Sequence, residues 1–131
     1  MEARFKVVYD DLPAIEVLRH KSDERGNIFT LQTEIIYCGL VLPVGFESDG
    51  ASVPRILWPV VFPADDLQAM FGAFVHDFVY RTHPRGWSKA QADDEFKYLL
   101  ERGGVSKRRA RLAYLGVKLF GGPSWRAGGK Q

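Results

Sequence analysis

A single cysteine, Cys38, stands among 131 residues, so no internal disulfide can form and packing must hold the fold. Such a chain suits a reducing compartment such as a cytoplasm. Long apolar runs are missing too. The longest uncharged stretch, Ile35 to Phe46, has 12 residues and contains Gly39, Pro43 and Gly45. A membrane-spanning helix needs about 20 apolar residues, so no transmembrane segment is predicted. Glu2, Arg4 and Lys6 lie where a signal peptide carries its apolar segment, and no secretion by that route is expected. Acidic residues are absent from positions 102–131, which hold eight basic ones, while the whole chain has 18 Lys and Arg against 16 Asp and Glu. This cluster concentrates a positive field that the net charge conceals. It reads either as a solvated helix face or, over Lys107 to Arg111, as a surface for phosphates. No recognition helix, zinc finger or aromatic-rich RNA-binding pattern accompanies it, which argues against nucleic acid as a partner.

With 46% hydrophobic and 26% charged residues, the chain has material for one compact core, and a single domain over 1–131 is expected. Residues 1–63 read as strands and a structured loop. Phe5 to Tyr9 and Ile15 to Leu18 are β-prone runs around the turn Asp10-Asp11-Leu12-Pro13, and Asp23 to Asn27 marks a second turn. Ile28 to Tyr37 alternates apolar and polar residues and is the longest strand candidate, with Cys38 as a small buried hydrophobe continuing toward Leu40 to Val44. Pro54, Pro59 and Pro63 exclude a regular helix from Phe46 to Pro63.

Residues 64–122 read as helices. Asp65 or Asp66 can cap a helix reaching about Arg81, with Leu67, Met70, Phe71, Phe74 and Phe78 spaced three and four apart. His83-Pro84-Arg85-Gly86 breaks it, with His83 read as an exposed turn residue. Ser88 and Gln91 form a capping box that opens a second helix, and Ser106 can cap a third whose apolar side is Ala110, Ala113, Tyr114, Val117 and Phe120. Residues 123–131 read as a frayed tail, with Trp125 a core or interface residue. The predicted class is α+β: a small antiparallel sheet packed on a three-helix unit that contains an antiparallel hairpin.

His76 and Asp93 lie equidistant from the break, so they should face each other across that hairpin. Gly72 and Tyr80 sit one turn either side of His76 on the same stripe, narrow at one end and polar at the other. A neutral imidazole whose second nitrogen donates to a buried carboxylate can accept a proton from water, which is the work of a general base. Asp77 points about a hundred degrees around the helix and can hold a hard cation together with loop carbonyls.

The run His76-Asp77-Phe78-Val79-Tyr80-Arg81, answered by Ala92-Asp93-Asp94-Glu95-Phe96, resembles the paired catalytic helices of secreted phospholipases of the A-two type, nearest to their short bacterial and fungal forms. The resemblance covers Gly72 to Leu100. It implies that His76 activates water, Asp93 orients it, Tyr80 supports by hydrogen bonding, and Asp77 binds calcium, with a lipid or other ester as substrate. The family's bracketing cysteines and Tyr-x-Gly-x-Gly calcium loop have no counterpart here. Ser48-Asp49-Gly50-Ala51-Ser52-Val53-Pro54 stands on that side instead, where Asp49 can contribute a carboxylate near Gly50 and Ser52. Nearly the whole chain, from Asp49-Gly50-Ala51-Ser52-Val53-Pro54-Arg55 through the two motif helices to Gly121-Gly122, resembles a family of small proteins of unknown function encoded largely by bacteriophages and prophages. That resemblance implies a role in the virion, in lysis or in modifying the host.

Each feature also has a purely structural reading. His76 with Asp93 can be a clasp that holds the hairpin, and Asp49-Gly50 a tight turn. The alternatives are therefore a metal-assisted ester hydrolase, a virion or tail component that binds other phage structural proteins through Ile56 to Phe62, and a phosphate-surface binder using Lys107 to Arg111.

Overall fold

The computed structural model describes residues 3–22, 26–48, 59 and 67–129. They fall in two compact units, Met1–Asp49 and Gly50–Gln131, and the class is α+β, with a small antiparallel sheet in the first and helices in the second.

In the first unit β1 (Ala3–Val7), β2 (Ile15–Ser22), β3 (Gly26–Leu31) and β6 (Glu47–Ser48) form an antiparallel sheet in the order β1-β2-β3-β6, while β4 (Ile35–Tyr37) and β5 (Leu40–Leu42) form a separate hairpin. The register pairs Phe5 with Val17 and Val17 with Leu31. Along β2, Ile15 and Val17 are buried while Glu16 between them is exposed, the period of two that gives a strand one wet face. Ile15, Val17, Ile28, Leu31 and Leu42 are each no more than 1% exposed. Full burial of side chains of this kind contributes about 1.5–3 kcal/mol apiece.

The strand expected over Ile28 to Tyr37 is two strands. After Leu31 the ladder is replaced by other bonds: Gln32 N–H donates to the Glu16 carbonyl at 2.7 Å, and Glu16 N–H donates to the Thr33 hydroxyl at 3.1 Å. The chain then turns back at Cys38 and Gly39, whose φ values of 49° and 79° are the paired positive values of a tight two-residue hairpin. Cys38 is therefore exposed at a turn, not buried in a strand.

In the second unit α1 (Met70–Thr82), α2 (Lys89–Arg102), α3 (Lys107–Phe120) and the short α4 (Gly122–Ala127) follow one another. Asp65 and Asp66 lie outside the described residues, and α1 starts later than expected, at Met70, with Ala69 as an N-cap that makes no side-chain bond. The α2 capping box is present: Gln91 N–H donates to Ser88 Oγ at 3.2 Å and Ser88 N–H donates to Gln91 Oε1 at 2.8 Å. Ser106 Oγ likewise accepts from Arg109 N–H at 3.3 Å and opens α3. Almost every side chain of α1 is buried, which makes it the central helix of the unit. Helix α3 buries Ala110, Ala113, Gly116 and Val117, small residues that permit close approach, and leaves Phe120 67% exposed rather than on its apolar side.

Residues 122–127 are helical rather than frayed, and this segment docks on the end of α1. Gly129 N–H donates to the Arg81 carbonyl at 2.8 Å. His83 caps α1 in the left-handed conformation (φ 45°), accepts contact from Trp125 with ring centroids 3.7 Å apart, and places Nε2 2.9 Å from the Trp125 carbonyl. It is thus a half-buried clamp, not a free turn residue.

Candidate functional site

The side chains of His76 and Tyr80, one turn apart on α1, meet Asp93 of α2. His76 Nε2 lies 2.9 Å from Asp93 Oδ1, and the Tyr80 hydroxyl donates to the same oxygen at 2.7 Å. The His76 ring is held between Tyr80 and Phe96, at centroid distances of 4.1 and 4.5 Å. His76 and Tyr80 are 1% and 2% exposed, and Asp93 is 2%. Gly72, the third member of the stripe, is a point of close approach: a Cβ there would lie 3.2 Å from Leu99 Cβ, so α2 fills the space.

A fourth residue completes the cluster. Lys89 Nζ donates to Asp93 Oδ2 at 2.7 Å and to the Val117 and Lys118 carbonyls at 2.9 and 3.3 Å. An ammonium has three protons, and these are three acceptors. Two of them are carbonyls of the last turn of α3, where the helix dipole favours a cation, and the Val117 carbonyl also accepts from Gly121 N–H at 2.8 Å. The sequence carries a signal for this residue, since Lys89 precedes Asp93 by one turn of the same helix.

Asp93 therefore has three donors on its two oxygens. Burial pushes its carboxyl up, but the hydrogen bonds from His76, Lys89 and Tyr80 outweigh that and hold it below the ordinary carboxylate range. Tyr80 moves strongly upward, first because it is buried and then because it donates to Asp93. It keeps its proton and stays a donor. An ionised Asp93 can only accept, so the His76 nitrogen facing it must carry a hydrogen, and in the neutral ring Nδ1 bears the lone pair.

Asp77, also 2% exposed, points elsewhere, with Arg81 Nη2 3.9 Å from its Oδ2. Asp49, Gly50, Ser52 and the segment Ile56 to Phe62, apart from Pro59, lie outside the described residues. Among the described residues no group of three or more His, Cys, Asp or Glu side chains is placed to hold a metal ion. Calcium takes six to eight oxygens, so Asp77 would need further donors beside it, and Asp49, the other expected ligand, lies outside the described residues. Among the described residues no helix is long and apolar enough to cross a membrane.

Gly121, at the junction of α3 and α4, lets the Tyr80 hydroxyl sit where it does. Its φ of −80° suits any residue, but a Cβ would stand 2.6 Å from Tyr80 Oη and closer still to the Val117 carbonyl oxygen. Gly121→Ala is expected to destabilise the protein by about 1–3 kcal/mol through overpacking alone. Urea unfolding followed by circular dichroism measures it, and an unchanged midpoint would show that Tyr80 has room to move.

The geometry defines a class: an α+β chain whose helix hairpin closes on a buried His–Asp pair. The chain belongs to the family described as Protein of unknown function (DUF1353), whose profile matches residues 29–117. The matched span contains His76, Tyr80, Lys89 and Asp93. No curated protein and no solved structure matches the chain.

Proposed function

We propose that the protein is an ester hydrolase in which His76 is the general base, Asp93 the carboxylate that orients it, and Tyr80 a supporting hydrogen-bond donor. The observation that carries this reading is the 2.9 Å contact between His76 Nε2 and an ionised Asp93, a carboxylate that fixes the ring's orientation and stabilises its charged form. In the step proposed, a water oxygen bonds to the acyl carbon while Nδ1 takes the water proton. The bond from that carbon to the alkoxy oxygen then breaks, and the departing oxygen takes the proton back from the imidazolium. Asp93 stabilises the imidazolium between the two transfers. Lipid esters are the leading substrates, on the likeness of the helix pair to secreted phospholipases. A bacteriophage or prophage source, suggested by the pattern from Asp49 to Gly122, would give such an activity a place in lysis or host modification.

The test is release of fatty acid from phospholipid and simple carboxylic esters by the purified protein, with and without calcium. Turnover that follows the protein through purification supports the reading, and no turnover on any ester removes it.

A second reading, a non-catalytic virion or tail component on the same scaffold, is favoured by one observation. His76 is 1% exposed, and Lys89 ties its partner Asp93 to the end of α3, as a clasp would. Purified virions containing the protein in fixed stoichiometry would favour it; their lacking the protein would argue against it.

A further inference from the structure

Helix α3 has two apolar sides, and only one of them is inside. Ala110, Ala113, Gly116 and Val117 are buried, while Leu112, Leu115 and Leu119 are 43%, 37% and 68% exposed. Spacings of three and four put these leucines in one row along the outer side of the helix. Phe120 extends the apolar surface at the helix end, 67% exposed. Four exposed cations accompany the row, Lys107, Arg108, Arg111 and Lys118, and the first three line a shallow depression of about 470 Å³ with Leu112 and Leu115. No acidic residue occurs anywhere from 102 to 131.

Charge decides the occupant. A second copy docking on this face would bring cation against cation with no acid of that stretch to offset them. A nucleic acid would satisfy the cations but leave the leucine row, which offers phosphates nothing. A surface that is anionic outside and apolar just beneath satisfies both, because leucines enter the acyl boundary while arginine and lysine stay at the headgroups. We infer that the outer face of α3 is a docking surface for an anionic lipid bilayer, with the helix lying in the plane of the interface. At 14 residues the helix is about 21 Å long, enough to lie on a bilayer and too short to cross one. The inference stands apart from the proposed hydrolysis, since it uses none of the side chains of the His76 cluster.

Pelleting with vesicles tests it, comparing pure phosphatidylcholine with an equal mixture of phosphatidylcholine and phosphatidylglycerol. The wild type is expected to bind the mixed vesicles at least about tenfold more tightly and to lose most of that preference in high salt. Arg108→Gln and Arg111→Gln should each weaken binding about fivefold. Leu119→Ser should weaken it about tenfold while leaving the salt dependence in place. All three side chains are exposed, and unchanged circular dichroism checks that the variants fold. Equal binding to both vesicles, or none, overturns the inference. So does a concentration-dependent dimer that Leu119→Ser dissolves, or binding to duplex DNA that exceeds vesicle binding and ignores Leu119→Ser.

Discussion

Asp93→Ala is expected to remove about 3–5 kcal/mol of folding stability. The substitution takes one carboxylate but strands three donors: the His76 ring, the Tyr80 hydroxyl and the Lys89 ammonium, whose side chain is only 23% exposed. A buried donor without an acceptor bears its full desolvation penalty. Asp93→Asn should fall between, since it preserves volume but turns an amide donor toward Lys89 or His76. The pH dependence carries the same information. Asp93 titrates lower in the folded protein than in the unfolded chain, so its stabilisation is complete above the ordinary carboxylate range and disappears as pH falls through the folded value. Wild-type stability should therefore decline in acid below about pH 4 with a contribution that Asp93→Ala lacks. Urea midpoints collected across acidic pH would settle it. A loss below about 1 kcal/mol with the same acid limb would mean that Asp93 is not the hub of the cluster.

His76→Gln separates the two functional readings. The glutamine amide can still donate to Asp93, and the ring contacts to Tyr80 and Phe96 are what it loses, so a stability decrease of about 1–2 kcal/mol is expected. Ester turnover should fall by about 10²- to 10⁴-fold, the usual contribution of a positioned general base, with KM little changed because the proposed role of the ring is proton transfer rather than binding of the acyl chain. Turnover in His76→Gln equal to the wild type's would refute the base assignment outright. Lys89→Met is the useful partner experiment. It frees the end of α3 without touching the His76 ring, and it should reduce stability more than turnover if the ring is the chemical group.

The parts of this architecture that were readable in the sequence are those set by local physics. The capping box at Ser88 and Gln91 and the cap at Ser106 were legible because each is closed within four residues. The meeting of His76 with Asp93 followed from symmetry about a Pro-Gly break, which requires only that the hairpin be antiparallel. What escaped depends on partners distant in sequence. The alternation from Ile28 to Tyr37 is genuine, but whether it stays one strand is decided by Glu16 and Phe46, which take over the hydrogen bonds of Gln32 and Leu31. Cys38 carries no turn signal of the Asn-Gly kind, so its left-handed conformation was hidden. Lys89 was visible as the i−4 neighbour of Asp93, but its second attachment, to carbonyls of α3, needed the fold. The closing helix is not legible, because six residues with Gly and Pro carry too little periodicity to mark a helix.

The span of the Asp93 cluster along the chain bears on how the molecule reaches its native state. Its bonds join residues 4, 13, 17 and 28 positions apart. Closing loops of that size takes little chain entropy, and helical units with such short-range wiring fold fast. Burying Asp93 before its donors arrive would be the unfavourable event, so the barrier selects routes in which α1, α2 and the end of α3 come together in one cooperative act. A half-assembled hairpin holding a paired His76 is then not expected to accumulate, and the pair should form together with the native packing of the helices.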